Sequence, residues 1–354
     1  MTKVVVAMSG GVDSSVAAAL LKQQGYDVTG MMLRLWSEPG KEDSNRCCTP
    51  DAIGLARRVA AKLEIPFYVV DAKELFRSTV VQAFLDGYGR GTTPNPCLAC
   101  NRSIRWEYLL EHALALGAEF IATGHYVRRR QAADGSGIEL LRAVDRSKDQ
   151  SYVMHVLTQE KLAKSLFPVG EYPKTEIRRL AEALGLPTAR RADSQDLCFL
   201  AGQDYRDFIR HHAPQIARPG PIVRRSGEIL GEHQGLAYYT IGQRKGLGLP
   251  SSVPLYVLEK RTDSNTLVVG EAEELGRFTL TAVEVNWSSG QSPVCAFPAE
   301  VKIRYTSREV PAEVTPLEGS RAEVRFIEPQ RDITSGQAAV FYSGDRLLGG
   351  GTIV

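Results

Sequence analysis

Long hydrophobic runs are missing from this 354-residue chain. Its longest apolar stretches, such as Val4 to Met8 and Phe120 to Ala122, are strand-length and far short of the roughly 20 residues of a membrane span. No membrane helix is expected. The segment before the first strand, at Lys3, lacks a basic region, an apolar core and a small-residue cleavage site, so the expected compartment is the cytoplasm. Cysteine is scarce, with six residues, which excludes a disulfide scaffold and leaves reactive or metal-binding thiols in a reducing compartment. An excess of either charge is also missing. The formal charge of +2 leaves composition neutral on nucleic acid, because phosphates need only a local basic patch. Repeats and low-complexity tracts are absent, and 43% apolar with 24% charged residues is the balance of an ordinary globular protein.

At this length two or three domains are expected. Lys3 to Met8 is a β-branched apolar run, followed by a glycine turn and then by Asp13 to Gln24 with Val16, Leu20 and Leu21 on a helical period. Strand-like segments at Val28 to Trp36, Phe67 to Val70 and Phe120 to Thr123 alternate with helical ones. The helical segments are Thr49-Pro50 through Leu63, Lys73 to Leu85 and Ile104 to Leu116. That alternation predicts an α/β fold, a doubly wound, Rossmann-like parallel sheet with helices on both faces. Helical patterns continue at Tyr152 to Leu166 and Lys174 to Leu184, then fade after about residue 205. Beyond Gly220, short alternating strands are broken by glycine and proline. The division predicted is a catalytic domain over 1–204, a small mixed domain over 205–275 and a β-barrel over 278–354.

Residues 9 to 15 read Ser-Gly-Gly-Val-Asp-Ser-Ser, between the first strand and the first helix. Glycines let backbone amides approach an anion, and the helix start adds unpaired N–H groups and a positive dipole, so this loop suits phosphates. A phosphoryl-transferring P-loop would carry Gly-Lys-Ser/Thr, which is absent here. The loop therefore suits α,β-phosphates or pyrophosphate, with Asp13 positioned for Mg²⁺. The string resembles the pyrophosphate loop of adenylating ATPases, which cleave ATP to AMP and pyrophosphate. The expected nucleotide contacts are Ala7, Met8, Ser9, Gly10, Gly11, Val12, Asp13 and Ser14, with Leu33 and Gly124 framing adenine and ribose at strand C-terminal ends.

Cys97 and Cys100 lie in Pro-Asn-Pro-Cys-Leu-Ala-Cys-Asn-Arg, read as a proline-stiffened loop between two helices, and Cys198 lies in Ser-Gln-Asp-Leu-Cys-Phe. Cys47, Cys48 and Cys295 read as small buried apolar residues. Together SGGVDSS, TPNPCLACN, ATGHY, RSKDQSY and SQDLCF, with YTIGQRKGLG and KIRYTS further on, resemble the tRNA-specific 2-thiouridylases over essentially the whole chain. The resemblance implies a tRNA substrate modified at its wobble uridine, Cys100 as nucleophile and Cys198 as persulfide carrier. It also implies a tRNA surface of Asn95, Pro96, Cys97, His125, Lys148, Asp149, Gln150, Arg304, Tyr305 and Gln337. Arg128-Arg129-Arg130 reads as a charged turn.

The chemistry of the residues agrees. A uridine oxygen is a poor leaving group until tied to AMP, and sulfur can then displace it. The expected partners are the tRNA anticodon loop and a sulfur-relay or cysteine desulfurase donor, with the protein a monomer. Where Cys97 stands, many members of the family carry aspartate. Cys97, Cys100 and Cys198 then form a set able to hold a 4Fe–4S cluster with one open iron, the alternative route for sulfur. Two further readings stay open: another adenylating ATPase that needs no cysteine, and a non-catalytic RNA- or zinc-binding protein in which Cys97 and Cys100 supply half a site.

Overall fold

The computed structural model describes residues 1–38, 40, 49–192 and 197–354. Cys47, Cys48 and the Ser194-Gln195-Asp196 segment lie outside the described residues. Strand β1 (Lys3–Ala7) is central, and Val4, Val5 and Val6 are fully buried. Helices cover both faces, so the run is apolar throughout instead of alternating. Each valine contributes about 1.5–3 kcal/mol by leaving water. Helix α1 (Val12–Gln23), β2 (Asp27–Arg34), α2 (Pro50–Lys62) and β3 (Phe67–Asp71) follow. The start of α2 is set by Thr49, whose hydroxyl accepts from the Ala52 N–H at 3.0 Å, with Pro50 in the first turn.

Two helical runs, 73–89 and 96–115, lead to β4 (Phe120–Thr123). The sheet order is β3-β2-β1-β4 with Ser165–Leu166 at the edge, and every pairing is parallel. Connections leave β1 in both directions, so a crevice opens at the C-terminal ends of β1 and β4, where open α/β sheets bind ligands. A small mixed sheet follows, built from Tyr256–Arg261, Thr266–Gly270, Gly220–Arg224 and Ile229–His233. The last six strands, from Arg277–Trp287 to Arg346–Ile353, are antiparallel and close on each other as a barrel. Strand Arg321–Gln330 shows the alternation this requires, with Ala322, Val324 and Phe326 inward. Among the described residues no helix is long and apolar enough to cross a membrane.

Several local readings are corrected. Arg128-Arg129-Arg130 is not a turn but lies in strand Val127–Gln131, which forms a hairpin with Ile138–Arg142. Its basic side chains are bound: Arg129 donates to the carbonyls of Leu162 (3.0 Å) and Ser165 (2.6 Å), and Arg130 pairs with Glu139 at 2.6 Å. The segment 152–166 is split into helices Ser151–Met154 and Gln159–Ala163 and the edge strand, because Thr158 caps a new helix. Helix does not end at 205. Tyr205–His212 is helical, capped by Asp204, with Phe208 and Ile209 buried. Cys295 is exposed, since its Ser- and Pro-containing turn between two barrel strands has no apolar face.

The hydrophobic clusters cross between regions. One joins the 73–89 run to Phe199, Phe208 and the mixed sheet. Another joins Val5, Trp106 and Tyr152 to Ala338, Val340 and Tyr342 of the barrel. The hairpin adds polar ties, for Arg142 sits 4.0 Å over the Tyr342 ring and 3.0 Å from Glu309. At this junction His155 is buried, and burial lowers its pKa from 6.5 to about 4. The native state therefore resists a proton that the unfolded chain accepts. His155 thus contributes stability above pH 6.5 that is lost as pH falls toward 4, about 3 kcal/mol in all. Chemical denaturation across this range should show that loss, and His155→Gln should flatten it.

Candidate active site

The glycine loop lies at the C-terminal end of β1, in the crevice. Gly10 has φ +71°, and a Cβ there would lie 2.5 Å from the Ala52 carbonyl oxygen and 2.9 Å from the Arg191 guanidinium. Only glycine fits. Gly11 precedes α1 in extended conformation and, as the N-cap residue, brings no side chain to the first-turn N–H groups, which suits an anion. Ser9, Ser14 and Ser15 brace the loop: Ser14 Oγ accepts from the Ser9 N–H at 3.2 Å, and Ser15 Oγ donates to the Gly11 carbonyl at 2.8 Å. Ala7 ends β1, Met8 is buried with its N–H on the Met31 carbonyl at 2.8 Å, and Val12 is buried. Leu33 is half-buried near the end of β2.

Gly124 follows β4, and a Cβ there would meet the Ser14 nitrogen at 2.7 Å. The end of β4 thus rests directly on the loop. Gly124→Ala should weaken binding of a polyphosphate at the loop tenfold or more, as titration will read; unchanged binding would show that the loop simply yields.

Asp13 does not offer an open carboxylate for Mg²⁺. Lys174 Nζ donates to both of its oxygens, at 2.7 and 2.8 Å, and the Tyr126 hydroxyl donates to one at 2.7 Å. Lys174 is buried at the start of helix Lys174–Ala183. Arg191 reaches the loop from the same side, donating to the Gly10 carbonyl at 2.7 Å. The cations that the loop's own sequence lacks therefore arrive from far along the chain. Nothing local to the loop signals Lys174, Arg191 or Tyr126.

Cys97 and Cys100 are not on a loop. A helix starts at Pro96, with Asn95 Oδ1 accepting from the Cys97 N–H at 3.1 Å. Proline suits a first helical turn and asparagine a cap, so the residues that read as loop punctuation begin a helix. Cys97 is exposed in the first turn, while Cys100 is 8% exposed within the apolar cluster that contains Phe199 and Leu200. Cys198 is half-buried and packs against that same cluster. Cys100 and Cys198 therefore pack on one apolar cluster, while Cys97 faces solvent.

The residues expected on the tRNA surface separate into groups. His125 is interior: Thr123 Oγ1 meets its Nδ1 at 2.8 Å and Arg105 its Nε2 at 2.6 Å. Burial, helped by the Arg105 charge, holds its pKa well below the usual value, so the ring is neutral. Gln150 accepts from the Tyr126 N–H at 2.9 Å, and Asp149 accepts from the Ala143 N–H and the Ser151 hydroxyl. Both thereby hold the crevice wall. Lys148 is half-buried and Pro96 buried.

Tyr305 is 44% exposed, edge-on to Tyr152, and its phenol is pushed up by burial and by its neighbours Asp149 and Cys97. It thus shares a neighbourhood with Cys97. Gln337 Nε2 donates to the Thr93 carbonyl at 2.8 Å, so the barrel holds the segment entering the cysteine helix. Arg304 donates to the Ile241 carbonyl at 3.0 Å and borders a cleft of about 460 Å³ lined also by Arg206, Gln243 and Lys245. This basic cleft between mixed sheet and barrel suits a nucleic-acid backbone.

Residues 2–202 match the family described as tRNA methyl transferase HUP domain, 206–271 the tRNA methyl transferase PRC-barrel domain, and 277–353 the aminomethyltransferase beta-barrel domain. The tRNA-specific 2-thiouridylase MnmA of Roseiflexus castenholzii is 48% identical, covering 100% of this chain and 99% of its own. That of Moorella thermoacetica is 48% identical over 98% of each chain. That of Pelotomaculum thermopropionicum is 46% identical over 99% of this chain and 97% of its own. With relatives this similar over essentially its whole length, and a parallel sheet that opens on a glycine loop, the chain belongs to the tRNA-specific 2-thiouridylase family.

Proposed function

We propose that the protein binds ATP at the glycine loop, adenylates the C2 oxygen of the wobble uridine in the tRNA anticodon loop, and replaces that oxygen with sulfur carried by Cys198. The observation that carries the reading is that Cys100 and Cys198, far apart in sequence, pack on the same apolar cluster. A persulfide on Cys198, loaded by a sulfur-relay or cysteine desulfurase protein, attacks C2 through its outer sulfur and AMP leaves. The Cys100 thiolate then attacks the Cys198 sulfur. A Cys100–Cys198 disulfide forms, the bond to the transferred sulfur breaks, and 2-thiouridine retains the electron pair. A cellular thiol reduces the disulfide.

Gly10, Gly11, Val12, Asp13 and Ser14 would hold the departing pyrophosphate through backbone N–H groups. Lys174 and Arg191 would offset its charge. Because the Lys174 ammonium occupies both Asp13 oxygens, Mg²⁺ suits the nucleotide's own phosphates better than Asp13. Ala7, Met8, Ser9, Leu33 and Gly124 would frame the rest of ATP. Asn95, Pro96, Cys97, Tyr305 and Gln337 would receive the splayed uridine, and Arg304 with Lys148 the backbone.

A 4Fe–4S cluster would need Cys97, Cys100 and Cys198 together. Cys97 is exposed, whereas Cys100 is buried and Cys198 half-buried, a pattern that suits a two-thiol relay with Cys97 facing the substrate. The test is product analysis with tRNA and ATP. AMP and pyrophosphate in equal amounts to thiolated tRNA support the reading, whereas ADP and phosphate would overturn it.

A further inference from the structure

A second chemical cluster lies away from the crevice. Glu38, just beyond β2, meets His211 and His212, the last residues before the end of helix Tyr205–His212, and their ligand atoms all lie within 4.8 Å of one another. One Glu38 oxygen is 3.5 Å from His212 Nε2 and 3.9 Å from His211 Nε2. Both separations exceed a good hydrogen bond. They come close to the ~3.4 Å between two ligands on a tetrahedral ion with bonds of about 2.0–2.1 Å. A second observation points the same way. His212 Nε2 is sealed from solvent and makes no hydrogen bond among the described residues, where a buried polar nitrogen ordinarily finds a partner.

The surroundings orient the donors as an outer shell would. Gln203 Nε2 donates to the other Glu38 oxygen. Phe208 lies 4.4 Å from the His212 ring, and Trp36 meets it edge-on at 5.7 Å. His211 has a side chain 71% exposed, leaving a path for an ion and a water as fourth ligand. Two imidazoles and a carboxylate, without thiolate, suit Zn²⁺.

We propose that Glu38, His211 and His212 bind one divalent transition-metal ion, Zn²⁺ by donor chemistry, clasping the segment after β2 to helix Tyr205–His212. The clasp adjoins the sulfur carrier, since Phe199, next to Cys198, packs on Phe208 at 5.3 Å. Its role is to hold that segment, with no part in the bond-making steps.

Metal-depleted full-length protein, titrated with Co²⁺ and then with Zn²⁺ as competitor, tests this. The parent should bind one equivalent that His211→Ala binds at least tenfold more weakly, and Glu38→Gln should repeat the loss. Any ion taken by the cysteines is common to parent and variants and cancels in the comparison. His211 is exposed, so its replacement leaves packing intact, which circular dichroism will verify. Zn²⁺ should also raise the melting temperature of the parent but not of His211→Ala. Equal binding by the parent and both variants, or no saturable binding by the parent, would overturn the proposal.

Discussion

Lys174→Ala should lower tRNA-dependent release of pyrophosphate by about 10²- to 10³-fold, the range for losing one preorganised charge at a reacting centre. Lys174 is buried and holds both Asp13 oxygens. Its loss removes a cation beside the glycine loop and also leaves the Asp13 carboxylate facing the polyphosphate unneutralised. Two like charges would then meet in a partly desolvated crevice. Asp13→Asn in the Lys174→Ala background should recover part of the rate by removing that repulsion. The melting temperature should fall in Lys174→Ala, because a half-buried ion pair is broken, but the double variant should regain much of it. A Lys174→Ala rate within threefold of the parent would mean that the pair is structural only.

Cys198→Ser and Cys100→Ser should each abolish sulfur incorporation, with a loss of 10³-fold or more, while pyrophosphate release stays within about threefold of the parent. Serine preserves size in the cluster containing Cys100, Phe199 and Leu200 but cannot carry a persulfide or exchange a disulfide. The two variants should differ in what accumulates. Cys100→Ser should trap tRNA joined to Cys198 through the transferred sulfur, released by added dithiol; Cys198→Ser should trap nothing. Cys97→Ser should keep most of its activity. If Cys97→Ser were as inactive as the other two and also lost bound iron, the cluster route would replace the relay.

What was legible in the sequence was what repeats locally. The apolar run before Ser9, the helical period after it and the missing lysine define the strand, loop and helix without help from elsewhere. The alternation in 321–326 does the same for the barrel. Long-range partners were not legible, because nothing near Lys174, Arg191 or Tyr126 records that each reaches the loop or Asp13.

Punctuation residues misled for a physical reason. Pro94 and Pro96 read as loop, yet Pro96 begins a helix because its missing N–H has no partner to lose there and Asn95 supplies the cap. Arg128 to Arg130 read as a solvated turn because polarity was taken for exposure, whereas Arg129 is held by carbonyls of the edge segment. His125 was expected at a surface, but Arg105 and Thr123 hold it inside.

The most direct test of sulfur transfer to uridine is to follow isotopically labelled sulfur from a cysteine desulfurase system into tRNA, with ATP and this protein, and then analyse the nucleosides. The label should appear as 2-thiouridine at the wobble position, dependent on ATP, Cys100 and Cys198. Label in 4-thiouridine, or no label in tRNA, would contradict the assignment.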